Sequence, residues 1–151
     1  MKTKLSFYFI LILIIGCKTE NNLEDDVELC EILSEMTIAD QKIRKLQLFK
    51  KGSKKQKDSL WKIQKSIDKK NTELLIEITE KRGWVSMGQF DCEKYFAPVL
   101  IFRHSPKEYW NELGKLIEKE KEAERMDGGD FMFIKNHLEG RPVFNFGVIE
   151  D

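Results

Sequence analysis

The chain is poor in the residues that build metal and redox sites. It has 151 residues but only two histidines and three cysteines, and no Cys-x-x-Cys pair occurs. A structural zinc site needs about four Cys or His ligands at short fixed spacings. His104 and His137 cannot complete such a set with the cysteines present. We therefore expect no metal ion and no cofactor.

The chain also lacks a membrane-spanning run and a net charge. Its apolar segment at residues 5–15 has eleven residues, whereas a spanning helix needs about 20. The 26 basic residues balance the 26 acidic ones, which argues against a dedicated nucleic-acid binder. Internal repeats and low-complexity blocks are missing as well. These absences favour one ordinary domain.

The N-terminus carries the pattern of an export signal. Lys2 and Lys4 precede the apolar segment, and Gly16 stands before Cys17. This arrangement resembles a bacterial lipoprotein signal, which implies that residues 1–16 are removed and that Cys17 carries the lipid. An uncleaved anchor or a buried helix is the alternative interpretation.

The lipoprotein interpretation also predicts where the protein is located in the cell. Position 18 is lysine, and not the aspartate that usually retains lipoproteins at the inner membrane. We therefore expect a lipid anchor at the outer membrane of the cell envelope, on its periplasmic or its outer side. Residues 17–26 are polar and form the predicted tether. Residues 27–151 form the predicted single domain.

The charges of the processed chain are unevenly distributed. Loss of Lys2 and Lys4 leaves 24 basic against 26 acidic residues, a net charge of −2. Residues 20–36 contain seven acids and no base, whereas residues 50–70 contain nine lysines and two aspartates. The lysine-rich stretch is either a basic face for anionic lipid or polysaccharide, or a solvated helix face.

Two cysteines remain once Cys17 is lipidated. In an oxidising compartment, Cys30 and Cys92 are able to form one disulfide between the first helix and the middle of the domain. Two buried free thiols are the alternative. A Cys92–His104 catalytic dyad would have to form across Pro98, and we do not expect it.

Helical periodicity dominates the domain. The apolar spacing predicts a long helix from Val27 to near Gly52 and a second from Gln56 to Arg82, ended by Gly83. A lysine-rich turn would join them as an antiparallel pair. The predicted apolar stripe of the second helix consists of Leu60, Ile63, Ile67, Leu74, Leu75 and Ile78.

Shorter elements are predicted to follow. Residues 84–92 read as a loop, and Pro98 suits the first turn of a short helix over residues 95–104, with a strand over 99–103 as the alternative. Further helices are predicted at 107–125 and around Phe131–Leu138, separated by Gly128-Gly129, before an extended tail at 141–148. The expected fold is mostly α: two long antiparallel helices, shorter helices packed on them, and a tail.

Polar residues interrupt the buried faces of the two long helices. Asp40 lies between Met36 and Ile43, and Arg44 is its i,i+4 partner. Asn71 interrupts the second helix in the same way. Because a buried charge must be paired, these residues form either a structural network or the wall of a polar pocket.

The ordered motifs resemble a bacterial domain family of unknown function that is frequent in secreted and lipoprotein chains. The matching residues, in chain order, are Met36–Arg44 (MTIADQKIR), Asp68, Asn71, Gly83-Trp84 and His104. The family's Tyr-Gly-Thr ending is replaced by Phe146-Gly147-Val148. The resemblance implies a fold and a site location, and no reaction.

Two functional classes follow. Three roles are open for His104: a cap on its own helix, a binding-site residue, or a general base oriented by Asp40, with Arg44 binding an anionic group. Trp84 either lines a pocket or plugs the helical pair. We expect a non-enzymatic envelope lipoprotein that binds a protein, lipid or glycan partner and no nucleic acid. The alternative is an envelope hydrolase or transferase that uses Asp40, Arg44, Asn71 and His104.

Overall fold

The computed structural model describes residues 23–46 and 51–141. Within these ranges it contains five α-helices, one 3-10 turn and no strand, which confirms the mostly α class. The elements are α1 Asp26–Arg44, α2 Lys54–Arg82, α3 Pro98–Arg103, the 3-10 turn Lys107–Tyr109, α4 Trp110–Glu122 and α5 Gly128–Leu138. None of these helices combines the length and the apolar character needed to cross a membrane. The predicted signal, Cys17 and nearly all of the predicted tail lie outside the described residues.

Helices α1 and α2 form the predicted antiparallel pair. Contacts between them join ascending positions on α1 to descending positions on α2. Arg82 Nη2 donates to Asp26 Oδ1 at 2.6 Å, and Asn71 Nδ2 donates to the Met36 carbonyl at 3.0 Å. Near the other end, the side chain of Gln64 reaches the backbone of α1. Side-chain hydrogen bonds therefore hold the two helices along their shared length.

The turn between the long helices starts earlier than predicted. Helix α1 ends at Arg44 instead of near Gly52, and Leu46 is 39% exposed. Leu46, the first apolar residue past the helix, therefore does not join the core. Helix α2 starts at Lys54 because Ser53 and Gln56 form a capping box. Residues 47–50, which fall within the predicted extent of the first helix, lie outside the described residues.

The first half of α2 also turns a different face inward. Ile63 was predicted on the buried stripe, but it is 50% exposed. The buried positions of α2 before Leu75 are all polar, and three of them, Gln64, Asp68 and Thr72, each lie one turn from the next, with Asn71 beside them. The stripe becomes apolar only from Leu75 onward. The prediction was wrong here because these buried positions carry polar side chains that hydrogen-bond to α1 and to one another.

The apolar core lies between the first part of α1, the second half of α2 and the shorter helices. Helix α3 begins with Pro98 at its first turn and sends Phe102 into this core. The residues below 2% exposure include Leu29, Leu33, Leu75, Ile78, Phe102, Leu113, Ile117 and Ile134. Asp127 caps α5, accepting from the backbone of Gly129 and Asp130. Gly128-Gly129 therefore opens α5 as well as separating it from α4.

The folded domain begins further toward the N-terminus than predicted. Leu23 is only 3% exposed and joins the core. Arg82 holds this segment, because its Nη1 donates to the carbonyls of Leu23 at 3.2 Å and Glu24 at 2.8 Å. Residues 23–26 thus belong to the folded domain and not to the tether.

Candidate functional site

The site is organised around the buried carboxylate of Asp40. Asp40 is 1% exposed, and its oxygens lie 2.9 and 3.0 Å from His104 Nδ1. Gln41 Nε2 donates to Oδ2 at 2.6 Å, and Arg44 Nε stands 3.6 Å from Oδ1. The charge of Asp40 is therefore compensated on three sides, as a buried carboxylate requires.

His104 reaches Asp40 from the end of α3. It occupies the C-cap position, and its backbone N–H donates to the Leu100 and Ile101 carbonyls. Its imidazole does not fold back on its own helix but crosses to α1. Because a carboxylate accepts, Nδ1 carries the hydrogen, which leaves Nε2 as the ring nitrogen available to a ligand.

A second carboxylate extends the network onto α2. Arg44 Nη2 donates to Asp68 Oδ1 at 2.6 Å, and Gln64 Nε2 donates to the same oxygen at 2.7 Å. Gln64 also donates to the Asp40 carbonyl at 3.3 Å. Arg44 thus lies between two acids, and its side chain keeps only 20% exposure. Because Arg44 is already engaged with these two carboxylates, it is not available as an independent binding group for an anion.

One side of this network opens into a cleft of about 490 Å³. Helix α2 forms one wall and the turn after α3 forms the other. The lining residues are Trp61, Lys65, Asp68, Lys69, His104, Pro106, Lys107 and Glu108. His104 retains 18% side-chain exposure in this cleft, while Asp40 behind it keeps 2%. The cleft therefore presents an oriented imidazole among lysines.

Two ring N–H groups hold the turn that carries His104 in place. His137 Nε2 and Trp110 Nε1 each donate to the Ser105 carbonyl, both at 3.1 Å. Arg141 Nε donates to His137 Nδ1 at 3.2 Å, which requires the neutral ring. Burial lowers the pKa of His137, in agreement with this tautomer. His137 was considered in the sequence only as a metal ligand, and its positioning contact carries no sequence signal.

Two predicted site residues lie elsewhere. Asn71 donates to the Met36 backbone and lines a separate groove between α1 and α2. Trp84 is 2% exposed and packs against Phe102 in the core, with its ring Nε1 donating to Asp130 at 3.0 Å. Neither side chain lines the His104 cleft. Of the predicted site residues, Asp40, Arg44 and His104 therefore come together, whereas Asn71 and Trp84 make structural contacts.

A second ion pair, between the buried Glu120 and the exposed Arg125, supports the loop that carries Trp84. Glu120 is 1% exposed and accepts from Arg125 Nε and Nη2, both at 2.7 Å. It also accepts from the Trp84 backbone at 2.8 Å. The Arg125 hydrogen bond is the main reason that the pKa of Glu120 is lowered. Sequence reasoning did not identify this pair.

Cys30 and Cys92 form a disulfide with a Cα–Cα distance of 5.7 Å. The bond attaches the loop after α2 to α1, so Cys92 is not a partner for His104. Over the described ranges, no group of three or more His, Cys, Asp or Glu side chains is placed to hold a metal ion.

Comparison with known proteins assigns no relative. This chain matches no protein-family model, no curated protein and no solved structure. The family resemblance drawn from the ordered motifs stays a prediction.

Proposed function

We propose that this chain is a membrane-anchored lipoprotein of the bacterial cell envelope whose helical domain binds a ligand in the His104 cleft. The resemblance to a lipoprotein domain family of unknown function is part of the proposal. The observation that carries the binding site is the pairing of His104 with Asp40 at 2.9 Å, on the wall of an open cleft.

The cleft favours a ligand with an anionic group. Lys65 and Lys107 line it, and within the described part of the chain no carboxylate forms an ion pair with either one. Lys69 is already paired with Glu108, at 3.1 Å. Two uncompensated ammonium groups beside an imidazole attract carboxylate or phosphate groups, most strongly at low ionic strength.

The binding site is tested by chemical-shift mapping. The full-length chain in a zwitterionic detergent is titrated with acetate, inorganic phosphate, glucuronate and glucose. We expect the anions to shift the signals of His104, Lys65 and Lys107, and glucose not to do so. The His104→Ala variant should lose this response, and Lys70→Gln, on another side of α2, should keep it. Anion-induced shifts confined to other surfaces would contradict the proposal.

The anchor is tested independently of the ligand. Cys17→Ser should leave an uncleaved precursor that lacks acyl mass, whereas the wild-type chain should lose residues 1–16 and gain it. Mass spectrometry of the membrane fraction measures both. Normal processing of the variant would contradict the lipoprotein assignment while leaving the cleft unaffected.

A hydrolase or transferase is the second candidate. The Asp40–His104 contact favours it, because a buried carboxylate that fixes the imidazole tautomer is how a general base is oriented. None of the described residues that line the cleft is Ser, Thr or Cys. The nucleophile would therefore be a water molecule or a second substrate.

Activity against simple esters and phosphomonoesters tests this candidate. Loss of a positioned general base reduces the rate by about 10²–10⁴-fold. We expect such a loss for His104→Ala, and a smaller one for Asp40→Asn together with a changed pH profile. Activity that survives both substitutions would arise outside the cleft and would exclude this mechanism.

A further inference from the structure

The His104 cleft is one end of a longer depression along α2. A hollow of about 560 Å³ adjoins it and shares Trp61 and Lys65 with it. A third hollow, of about 630 Å³, adjoins the second and shares Asp58 and Lys62. The three hollows are therefore consecutive, and we call them the α2 track.

The track follows one side of the helix. Lys54, Lys62, Lys65 and Lys69 fall within roughly 80° of one another around α2, given about 3.6 residues per turn. Lys54 and Lys69 are separated by fifteen positions, or about 22 Å along the axis at the usual helical rise. The track is thus long enough for a chain-like ligand and too long for one small anion.

The charge of the track is strongly positive. Six lysines line it: Lys54, Lys55, Lys62, Lys65, Lys69 and Lys107. Three acids line it as well, but Asp68 is paired with Arg44 and Glu108 with Lys69. Asp58 is the acid left to oppose the other lysines. This local excess contrasts with the neutral whole chain and is the complement of a polyanion.

We propose that the α2 track binds a linear acidic polysaccharide, with one acidic sugar seated at His104. Trp61 lines two neighbouring hollows and is 43% exposed, and aromatic surface of this kind packs against sugar rings while lysines bind the carboxylates. This proposal names the ligand class of the cleft and in that respect rests on the proposed function.

Two other polyanions fit the track less well. A membrane-surface helix needs its apolar residues on one face, but Trp61 and the exposed Ile63 stand roughly 160° apart around α2. Single-stranded nucleic acid is bound by a series of stacking aromatic residues. Trp61 is the one aromatic residue among those that line the described track.

Binding of oligogalacturonates of increasing length tests the proposal. Affinity is measured by calorimetry on the full-length chain in zwitterionic detergent, with neutral maltooligosaccharides as the uncharged control. We expect affinity to rise with length until the track is filled, to fall with added salt, and to be absent for the neutral series. An affinity that is independent of length would overturn the track but leave the cleft intact.

Paired variants separate the track from the cleft. Lys54→Gln with Lys62→Gln, at the far end, should weaken the long oligomer about 5- to 10-fold and leave galacturonate monomer binding unchanged. Lys42→Gln with Lys70→Gln is the matched control, because both lysines are exposed and neither lines a hollow. Equal loss in the two pairs would overturn the proposal, since general charge would then explain binding.

Competing ligands complete the test. Micelles doped with phosphatidylglycerol and a single-stranded oligonucleotide are compared with the oligogalacturonate at equal charge. Tighter binding of either competitor through the same lysines would overturn the polysaccharide assignment. Failure of the monomer and of every oligomer to shift His104 would instead overturn the proposed function itself.

Discussion

The contact between Asp40 and His104 predicts a measurable coupling free energy. Asp40→Ala removes a buried carboxylate that accepts from His104 and Gln41. In this variant Arg44 stays paired with Asp68 and partly exposed to solvent. The free energy of unfolding should therefore fall by less than the full amount of about 3–5 kcal/mol expected when a buried charge is left unpaired. We expect Asp40→Ala to lower the free energy of unfolding by about 2–3 kcal/mol. For His104→Ala we expect about 1.5–2 kcal/mol, as for a hydrogen bond to a charged group.

Urea denaturation followed by far-ultraviolet circular dichroism measures these values at pH 7 with the disulfide intact. The double variant should be more stable than the sum of the single effects implies, with a coupling of about 1–2 kcal/mol. Lys70→Gln provides the baseline for a surface change on α2. A coupling below about 0.5 kcal/mol is the range found for independent sites, and it would refute the contact on which the site depends.

Three further predictions concern the support of the site. Gly83→Ala should cost about 2–3 kcal/mol, because φ is +82° and a Cβ would meet Arg125 at 2.7 Å. Gly114→Ala, in open helix, should instead stabilise the fold by up to about 1 kcal/mol; thermal melts compare the two. Glu120→Gln should be less stable than wild type at pH 7, and the difference should shrink as the pH falls below about 4.3 toward the folded pKa, because that pKa is lowered. A difference that does not change with pH would contradict the ion pair. Reducing the disulfide, which spans 62 positions, should cost about 4 kcal/mol by loop entropy; an unchanged urea midpoint would contradict this.

The periodicity of the sequence was sufficient for the helices but not for the face that α2 turns inward. Apolar spacing predicts that Ile63 is buried, and the structure exposes it. The signal that predicts the true face is polar: Gln64, Asp68 and Thr72 repeat every fourth residue and are all buried. A pattern method that rewards apolar residues cannot recognise a helix face buried through hydrogen bonds.

The candidate site, too, could be predicted only in part from the sequence. Local spacing was enough to pair Asp40 with Arg44, since i,i+4 neighbours meet on any helix. The approach of His104, 64 positions away, depends on where α3 packs and has no local signal. Lys107 and Trp61 are brought to one cleft for the same reason. Asn71 shows the reverse error. Its position on α2 predicted a place in the site, but its amide donates to the α1 backbone instead.

Arg82 donates to the carbonyls of Leu23 and Glu24, and under the lipoprotein proposal these contacts fix the point at which the domain joins its tether. Trp61 precedes Arg82 by 21 positions on the same helix, a distance of about 30 Å. Under the lipoprotein proposal, α2 is then a rigid spacer between the attachment point and the binding surface. Its length sets how far from the bilayer the domain can meet a partner. A shortened α2 should therefore bring the track toward the lipid headgroups.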